Sequence, residues 1–292
     1  MTDLDVVIPC FNMQALVARA IESAHIAGAN RIIVVDDGSA DDSAMIAEKH
    51  GATVIRQANS GAAAARRTGA KGSTATYLIF LDADDQLLAP GVKESLLLLE
   101  SNVGSPAVGG AVVGVMPNGK TTRLKSHYSN SISTADLLSK GFGPWPPAAA
   151  VVRRLDYLKA ENQFPNKLTT DYAEDFEMFI RLSMIGKILK HDVPAAKYRM
   201  FDGKSSKDYL KPIMAKERIV EYYGQALKLP HTVMSGVDIR LASHTRAIRT
   251  MIARAEYGKL ILLIVKSLAF DPKINFLGVK KGVQKFIKRD EK

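Results

Sequence analysis

The feature that most constrains this chain is a run of five apolar residues that ends in a cluster of carboxylates. Tyr77–Leu81 is entirely apolar, and Asp82, Asp84 and Asp85 follow at once. A short continuous apolar run predicts a strand buried on both faces of a parallel sheet. Open α/β sheets bind ligands at the carboxyl ends of such strands. Three like charges there predict a divalent cation carrying a phosphorylated ligand, and the alternative is a solvated acidic turn that caps the next helix.

The residues before this run alternate between apolar strands and helical segments. This alternation is typical of an α/β fold with a mostly parallel sheet. Strands are predicted over residues 4–8, 31–35 and 53–55, and helices around residues 16–24 and 62–70. Asn12 is expected to cap the first helix, Ser39 with Asp42 resembles a capping box, and Gly51 is a plausible C-terminal cap.

After Pro90 the pattern becomes less regular. Helices are predicted over residues 92–99, 133–138 and 174–185, and strands over residues 107–116, 148–152 and 187–191. From Lys207 onward the sequence is helical in pattern and basic. We therefore expect a domain over residues 1–206, with halves at 1–100 and 101–206, and a basic helical extension over residues 207–292.

Charge is distributed unevenly along the chain. The net charge is +10, but residues 1–100 have 8 Lys/Arg against 13 Asp/Glu, whereas residues 101–292 have 32 against 17. The basic part predicts a phosphate-bearing or anionic partner. Cys10 is the single cysteine, which excludes an intrachain disulfide, suits a reducing compartment and favours a buried apolar role over a nucleophilic one.

The sequence lacks the features of a membrane span or a secretory leader. Its first residues have no basic segment followed by a long apolar one, and the apolar run Leu260–Val265 has six residues where a span needs roughly 20. We expect a cytoplasmic protein that is soluble or peripheral on the inner face of the cytoplasmic membrane.

Two predicted strand ends carry acidic groups, namely Asp36-Asp37 and the cluster after Leu81. Neighbouring parallel strands end on the same side of a sheet, so both groups are expected to face one ligand. Between them lies a helix over Gly61–Gly69 whose small residues allow close approach and whose Arg66 is suited to phosphate. The alternative is an Ala-rich packing helix with exposed arginines. Neither a Gly-x-Gly-x-x-Gly nor a Walker loop occurs, which disfavours dinucleotide enzymes and P-loop NTPases.

A third acidic group opens a later helix. Glu174 and Asp175 precede the apolar positions Phe176, Phe179 and Ile180. This spacing places Asp175 in the first helical turn, where the helix dipole favours the ionised carboxylate that a general base needs. The alternative is that both acids only cap the helix.

The chain resembles the family 2 glycosyltransferases, which are inverting enzymes with a GT-A fold. The resemblance covers about residues 4–206 and rests on motifs in the family's order: Val6–Asn12, Val34–Asp41, Gly61–Gly69, Phe80–Asp85 and Glu174–Leu182. It implies a nucleotide-binding half over residues 1–100 and an acceptor-binding half over residues 101–206. It also implies Mn²⁺ or Mg²⁺ as the cofactor.

The resemblance implies a role for each matching residue. Pro9 and Phe11 line the nucleotide pocket, Asp37 accepts a hydrogen bond from the base with Asp36 beside it, and Arg66 lies near the base or diphosphate. Asp82 meets the ribose, Asp84 binds the metal, with Asp82 and Asp85 as further candidate ligands, and Asp175 deprotonates the acceptor hydroxyl. The residues assigned to the acceptor or the diphosphate are Trp145, Glu174, Arg199, Lys204 and Ser205.

The sequence departs from the family pattern at two positions. Phe201 stands where the family often has a metal-binding histidine, so the loop after Tyr198 is expected to contact the diphosphate without ligating the metal. Arg67 replaces the usual asparagine of the Gly61–Gly69 motif. Trp145 precedes the strand that leads toward Asp175, and either stacks on an acceptor or packs in the core.

The resemblance implies an enzyme that moves a sugar from a nucleoside diphosphate sugar, with a UDP sugar favoured, to a glycan or polyprenyl-linked acceptor in polysaccharide or cell-envelope assembly. A sugar-phosphate nucleotidyltransferase and a non-catalytic glycan- or nucleotide-binding relative are the alternatives. The basic tail predicts an anionic membrane surface, and the alternative is a helical lid with a solvated basic face. No nucleic-acid partner is expected.

Overall fold

A computed structural model describes residues 3–168, 170, 172–201, 203, 207–270, 277 and 279–280. The chain divides into two compact units, Met1–Val113 with Arg123–Tyr198, and Gly114–Thr122 with Arg199–Lys292. The first unit contains the alternating strands and helices, which confirms the α/β class. The expected boundary after residue 206 stays a prediction.

One mixed sheet dominates the fold. Its strands are β1 (Leu4–Cys10), β2 (Arg31–Asp36), β3 (Thr53–Arg56), β4 (Tyr77–Phe80), β5 (Gln86–Leu87), β6 (Ala107–Val115), β7 (Thr121–Leu124), β8 (Ser131–Ile132), β9 (Ala150–Arg153) and β10 (Ile188–Arg199). The order is β3-β2-β1-β4-β9-β6-β10-β5, with β7 beside β6 and β8 beside β10. β1 to β4 pair in parallel, so their carboxyl ends lie at one edge. β9 joins β4 and β6 antiparallel.

The described helices alternate with the strands along the chain or follow the last strand in the sequence. They are α1 (Val17–Ile26), α2 (Ser43–Lys49), α3 (Ala62–Gly72), α4 (Ala89–Ser101), α5 (Thr134–Lys140), α6 (Arg154–Asn162), α7 (Glu174–Ser183), α8 (Lys211–Leu227), α9 (Gly236–Ala253) and α10 (Tyr257–Phe270). β4 is buried at every position, as its unbroken apolar sequence predicts. Among the described residues, no helix is both long enough and apolar enough to cross a bilayer.

The predicted cap at Asn12 is wrong. α1 begins at Val17 after Leu16, and Asn12 adopts a left-handed backbone with a φ of 53°. The Asn12 N–H donates to Ser39 Oγ at 2.9 Å, and Asn12 Oδ1 accepts from Ala40 N at 2.9 Å. The capping box is wrong for the same reason, since Ser39 Oγ serves this contact and α2 begins at Ser43. The two loops after β1 and β2 bind each other because their parallel strands are neighbours.

Other differences concern short or polar elements. β10 extends to Arg199, well beyond the predicted end at residue 191. The added part contains Pro194 and charged residues, which do not indicate a strand, but its backbone pairs with β5 through Ala196 and Lys197. β5, β7, β8 and α6 were not predicted. α6 starts directly after β9, with no turn residue to separate the two elements. By contrast, Gly51 follows α2 with a φ of 82° and confirms the predicted C-terminal cap.

The small face of α3 packs closely on β1 and β2. A Cβ added at Gly69 would lie 2.3 Å from Val7 Cγ1 and 3.2 Å from Val35 Cγ2. We expect Gly69→Ala to lower the free energy of unfolding by about 1–3 kcal/mol, because overpacking forces neighbouring atoms to shift. Thermal unfolding measures the change. Gly104→Ala is the control, since a Cβ there meets nothing within 4 Å, and equal melting temperatures for both variants would contradict the prediction.

Candidate active site

The carboxyl end of β2 places two buried carboxylates beside the end of β1. Asp36 and Asp37 are 5% and 4% exposed. The Asp36 carboxylate accepts from Ser39 N at 3.0 Å, and the Asp37 backbone N–H donates to the Cys10 carbonyl at 2.8 Å. These contacts hold the loop after β2 against the end of β1.

Asp37 also organises the segment that leads into α3. Its Oδ1 accepts from Gln57 Nε2 at 2.7 Å and from Ser60 N at 2.8 Å, and its Oδ2 accepts from Gly61 N at 2.8 Å. Thr68 Oγ1 in turn donates to Gln57 Oε1 at 2.7 Å. A carboxylate oxygen has two acceptor positions, so Oδ2 keeps capacity for one further donor. The role of Asp37 toward a base stays a prediction.

The end of β1 supplies the other residues predicted for the nucleotide pocket. Phe11 is 45% exposed, as a residue that lines an open site would be, and Pro9 is half-buried. Between them Cys10 is buried, and this burial raises the pKa of its thiol to about 11. The expectation that Cys10 is a buried apolar side chain is confirmed, because so high a pKa suppresses the nucleophilic thiolate.

Arg66 connects two parts of the site that are distant in sequence. Arg66 is a residue of α3, and its side chain is 6% exposed. Nη2 donates to Asp82 Oδ1 at 2.8 Å, just beyond β4, and Nη1 lies 3.7 Å from Glu174 Oε1 at the start of α7. Nε is buried and has no hydrogen-bond partner among the described residues. The Arg66 side chain therefore joins the predicted donor half to the helix that carries the predicted base.

The charges around Arg66 act on one another. Burial alone would lower the pKa of the Arg66 guanidinium, but the charges of Asp82, Glu174 and Asp175 outweigh it and raise the pKa. Burial raises the pKa of the Glu174 carboxyl; the Arg66 charge opposes this rise, while Asp175 and Asp82 add to it. These four groups thus form one electrostatic cluster in which a single cation is shared by three carboxyl groups.

The acidic cluster after β4 lies in a tight turn. The Asp85 N–H donates to the Asp82 carbonyl at 2.9 Å, which folds the chain back toward β5. Asp85 is 2% exposed, whereas Asp82 and Asp84 are partly exposed. The alternative of a fully solvated acidic turn does not fit this burial.

Tyr198, near the end of β10, is affected by the charges of two acidic groups of the site. Burial comes first among the causes that raise the pKa of its phenol, and the others are the charges of Asp85, Asp175, Asp82 and Asp84. The structure therefore brings the turn after β4 and the start of α7 within electrostatic reach of one side chain. Sequence reasoning noted the segment that begins at Tyr198 but assigned Tyr198 no role. The sequence shows only a tyrosine at the end of a strand, and this alone does not indicate a functional residue.

Backbone conformation sets the position of Asp175. Ala173 precedes α7 in a left-handed conformation with a φ of 62°, which costs a non-glycine residue about 1–2 kcal/mol. Strain of this kind concentrates at functional sites. Asp175 Oδ1 accepts from Phe176 N at 2.8 Å, so the carboxylate lies at the positive end of the helix.

The rest of α7 is fixed by burial and by one arginine. Phe176, Phe179 and Ile180 are buried, as their spacing predicts. Arg181 is 1% exposed, and its guanidinium donates to the carbonyls of Ala160, Pro165 and Gln163 at 2.6–2.7 Å. The helix that carries Asp175 is therefore anchored to the end of α6 and to the segment that follows it.

The structure gives different outcomes for the residues predicted to contact the acceptor or the diphosphate. Trp145 is 6% exposed, its ring packs edge-on against Phe179 with centroids 5.9 Å apart, and it fills the space above Gly109. This packing fits the core alternative, and stacking on an acceptor stays a prediction. Arg199 ends β10 and belongs to the second unit. Lys204 and Ser205 lie outside the described residues.

The carboxylates after β4 have the oxygen donors that hard cations prefer. Among the described residues, no three His, Cys, Asp or Glu side chains form a closed metal-binding group. Mg²⁺ usually needs fewer, since one or two carboxylates suffice when water and substrate phosphates complete the coordination. The carboxylates of Asp84 and of Asp82 or Asp85 have the oxygen chemistry for such an incomplete set, and metal binding by them stays a prediction.

Comparison with known proteins gives the family. The family model for glycosyl transferase family 2 matches residues 5–181, which include the motifs described above except Leu182 at the end of the last one. The chain belongs to this family. The pre-mycofactocin glycosyltransferase of Mycobacterium tuberculosis is 30% identical over 200 residues, which cover 65% of this chain and 41% of that protein. The uncharacterized glycosyltransferase YibD of Escherichia coli is 34% identical over 109 residues, which cover 33% and 30%. The chain thus spans less than half the length of these relatives.

Solved structures share the fold of this family 2 chain. Residues 1–349 of TarS from S. aureus, in complex with UDP-GlcNAc, align with a TM-score of 0.58 and 14% identity over 100% of this chain and 91% of that one. Glucosyl-3-phosphoglycerate synthase from Mycobacterium tuberculosis, in complex with Mn²⁺ and UDP, aligns with a TM-score of 0.51 and 16% identity over 79% and 82%. At such identities the likeness shows the fold alone, and it confirms the predicted GT-A fold.

Proposed function

We propose that this protein transfers a sugar from a nucleoside diphosphate sugar, with a UDP sugar favoured, to a hydroxyl group of a glycan or polyprenyl-linked acceptor in polysaccharide or cell-envelope assembly. The observation that carries the proposal is the Arg66 bridge, which joins Asp82 of the predicted donor site to Glu174, the neighbour of the predicted base. The UDP-GlcNAc complex of TarS and the UDP complex of glucosyl-3-phosphoglycerate synthase support the choice of donor.

In the proposed reaction the acceptor hydroxyl gives its proton to the Asp175 carboxylate. Its oxygen forms a bond to the anomeric carbon, while the bond from that carbon to the diphosphate oxygen breaks. The electron pair leaves with the nucleoside diphosphate from the opposite face, so the configuration inverts. Asp82 orients the donor ribose, and Arg66 holds Asp82 in place. Asp84, with Asp82 or Asp85, would hold Mn²⁺ or Mg²⁺, which neutralises charge on the departing diphosphate when bound.

Nucleoside diphosphate release from a panel of nucleotide sugars tests the proposal. Incubation with Mn²⁺ or Mg²⁺ is expected to give release with one donor and an inverted product by NMR. Family membership favours a glycosyltransferase over a nucleotidyltransferase, so the panel mainly separates an enzyme from a non-catalytic relative. Failure to release a nucleotide from any donor, together with unimpaired UDP binding, would favour the non-catalytic alternative.

Metal removal is a second test. We expect a chelator, or Asp84→Ala, to lower nucleotide release by about 100-fold or more, because a Lewis-acid ion is worth several kcal/mol in the transition state. Asp192→Ala is the control, since Asp192 is on β10 with a side chain that is 77% exposed. Full activity in the chelator would overturn the assignment of a metal-dependent site.

A further inference from the structure

Helix α10 (Tyr257–Phe270) presents apolar side chains to solvent. Tyr257, Ile261, Leu262 and Val265 are 59%, 63%, 54% and 59% exposed. Since an α-helix turns about 100° per residue, the four lie within an arc of about 140°. We call them the α10 apolar face. Leu260, Leu263 and Ile264, on the same helix, are less exposed, and α10 packs against α9.

This face differs from other exposed apolar residues of the chain. Val103, Leu155 and Phe164 are 83%, 71% and 75% exposed, but they lie singly in the first unit, in the loop after α4, on α6 and in the segment after α6. Single exposed apolar residues are ordinary, whereas a contiguous group indicates a binding surface. The α10 apolar face is therefore a candidate binding surface.

The charge of the surrounding sequence indicates the kind of partner. Residues 257–292 contain 9 Lys/Arg and 3 Asp/Glu, a net charge of +6. Lys259 lies beside the apolar face and pairs with Glu256 at 3.1 Å, and most of the other basic residues follow α10 in the sequence. Two copies of so basic a segment repel each other, so a second copy of the chain is disfavoured as the partner.

We propose that the α10 apolar face, with the basic residues that follow it, binds an anionic lipid surface. Amphipathic helices bury an apolar face at the boundary of headgroups and acyl chains, and basic residues add attraction to anionic headgroups. This binding is separate from sugar transfer, although it suits a polyprenyl-linked acceptor, which is found in the same lipid phase.

Vesicle flotation with the full chain tests this binding. The protein is expected to float with phosphatidylcholine vesicles that contain phosphatidylglycerol, and to float far less with phosphatidylcholine alone or in high salt. I261E/V265E is expected to reduce the bound fraction by about tenfold or more, since it places charge on the face that enters the lipid. V103E/L155E is the matched control and should bind as the wild type does.

K280Q/K281Q should weaken binding relative to K71Q/K93Q, which removes two lysines from the first unit.

The outcomes separate the proposal from its alternatives. Equal flotation of I261E/V265E and the wild type would overturn it, as would equal binding to neutral and anionic vesicles. Dimerisation by light scattering that I261E/V265E abolishes, without vesicle binding, would instead make the face a contact between two copies. Nucleotide release by I261E/V265E should equal that of V103E/L155E, so a failure of lipid binding is distinguishable from a failure of the proposed transferase activity.

Discussion

Replacement of Asp175 with asparagine is expected to lower the turnover number by about 10²–10⁴-fold, because the amide cannot take the proton of the acceptor hydroxyl. Binding of the nucleoside diphosphate with Mn²⁺ should change little, since the donor residues Asp37, Asp82 and Asp84 remain. Steady-state kinetics and calorimetric titration of UDP with Mn²⁺ measure the two quantities. A large loss in turnover with unchanged binding identifies a group that acts in the chemical step.

Two further variants make this result specific. Asp156→Asn changes the first-turn acid of α6 and should leave turnover unchanged. Glu174→Gln tests the neighbouring carboxyl, whose pKa is raised by burial. If Asp175→Asn kept its turnover and Glu174→Gln lost it, Glu174 would be the base.

Replacement of Arg66 with methionine is expected to destabilise the protein by about 3 kcal/mol. Loss of one partner of a buried ion pair typically costs about 3–5 kcal/mol, because the other charge stays buried without compensation. The lower end applies here, since the side chains of Asp82 and Glu174 keep 33% and 25% exposure. In thermal unfolding this corresponds to a decrease of about 6–12 °C in the melting temperature.

Arg67 offers a matched control on the same helix. Its side chain is 50% exposed, and its Nη1 lies 4.0 Å from Glu161 Oε2. The Glu161 side chain is 5% exposed, but Lys167 Nζ also lies 2.9 Å from its Oε1, so the loss of Arg67 leaves this carboxylate compensated. Arg67→Met should therefore change the melting temperature little. Adding Glu174→Gln to Arg66→Met should restore part of the stability by removing one uncompensated charge. Equal melting temperatures for Arg66→Met and Arg67→Met would show that the bridge contributes nothing to stability.

Much of the first unit was predictable because its signals are local. The apolar runs of β1, β2 and β4 indicate buried parallel strands, and the α7 spacing of Phe176, Phe179 and Ile180 indicates its buried face. The prediction failed where a contact between distant loops outweighed a local preference. Asn12 and Ser39 have the composition of helix caps, but each satisfies a backbone group of the loop after the adjacent strand. Such competition cannot be read from either segment alone.

The sequence by itself determined the α/β class, the strand ends that carry Asp36-Asp37 and Asp82–Asp85, and the family resemblance. These follow from apolar periodicity and from residues whose spacing is short. Only the tertiary structure decided that Arg66 joins Asp82 to Glu174, that Tyr198 lies within reach of both acidic groups, and that α10 leaves an apolar face exposed. Ion pairs and exposure depend on how elements dock, and docking brings together residues that no sequence period relates.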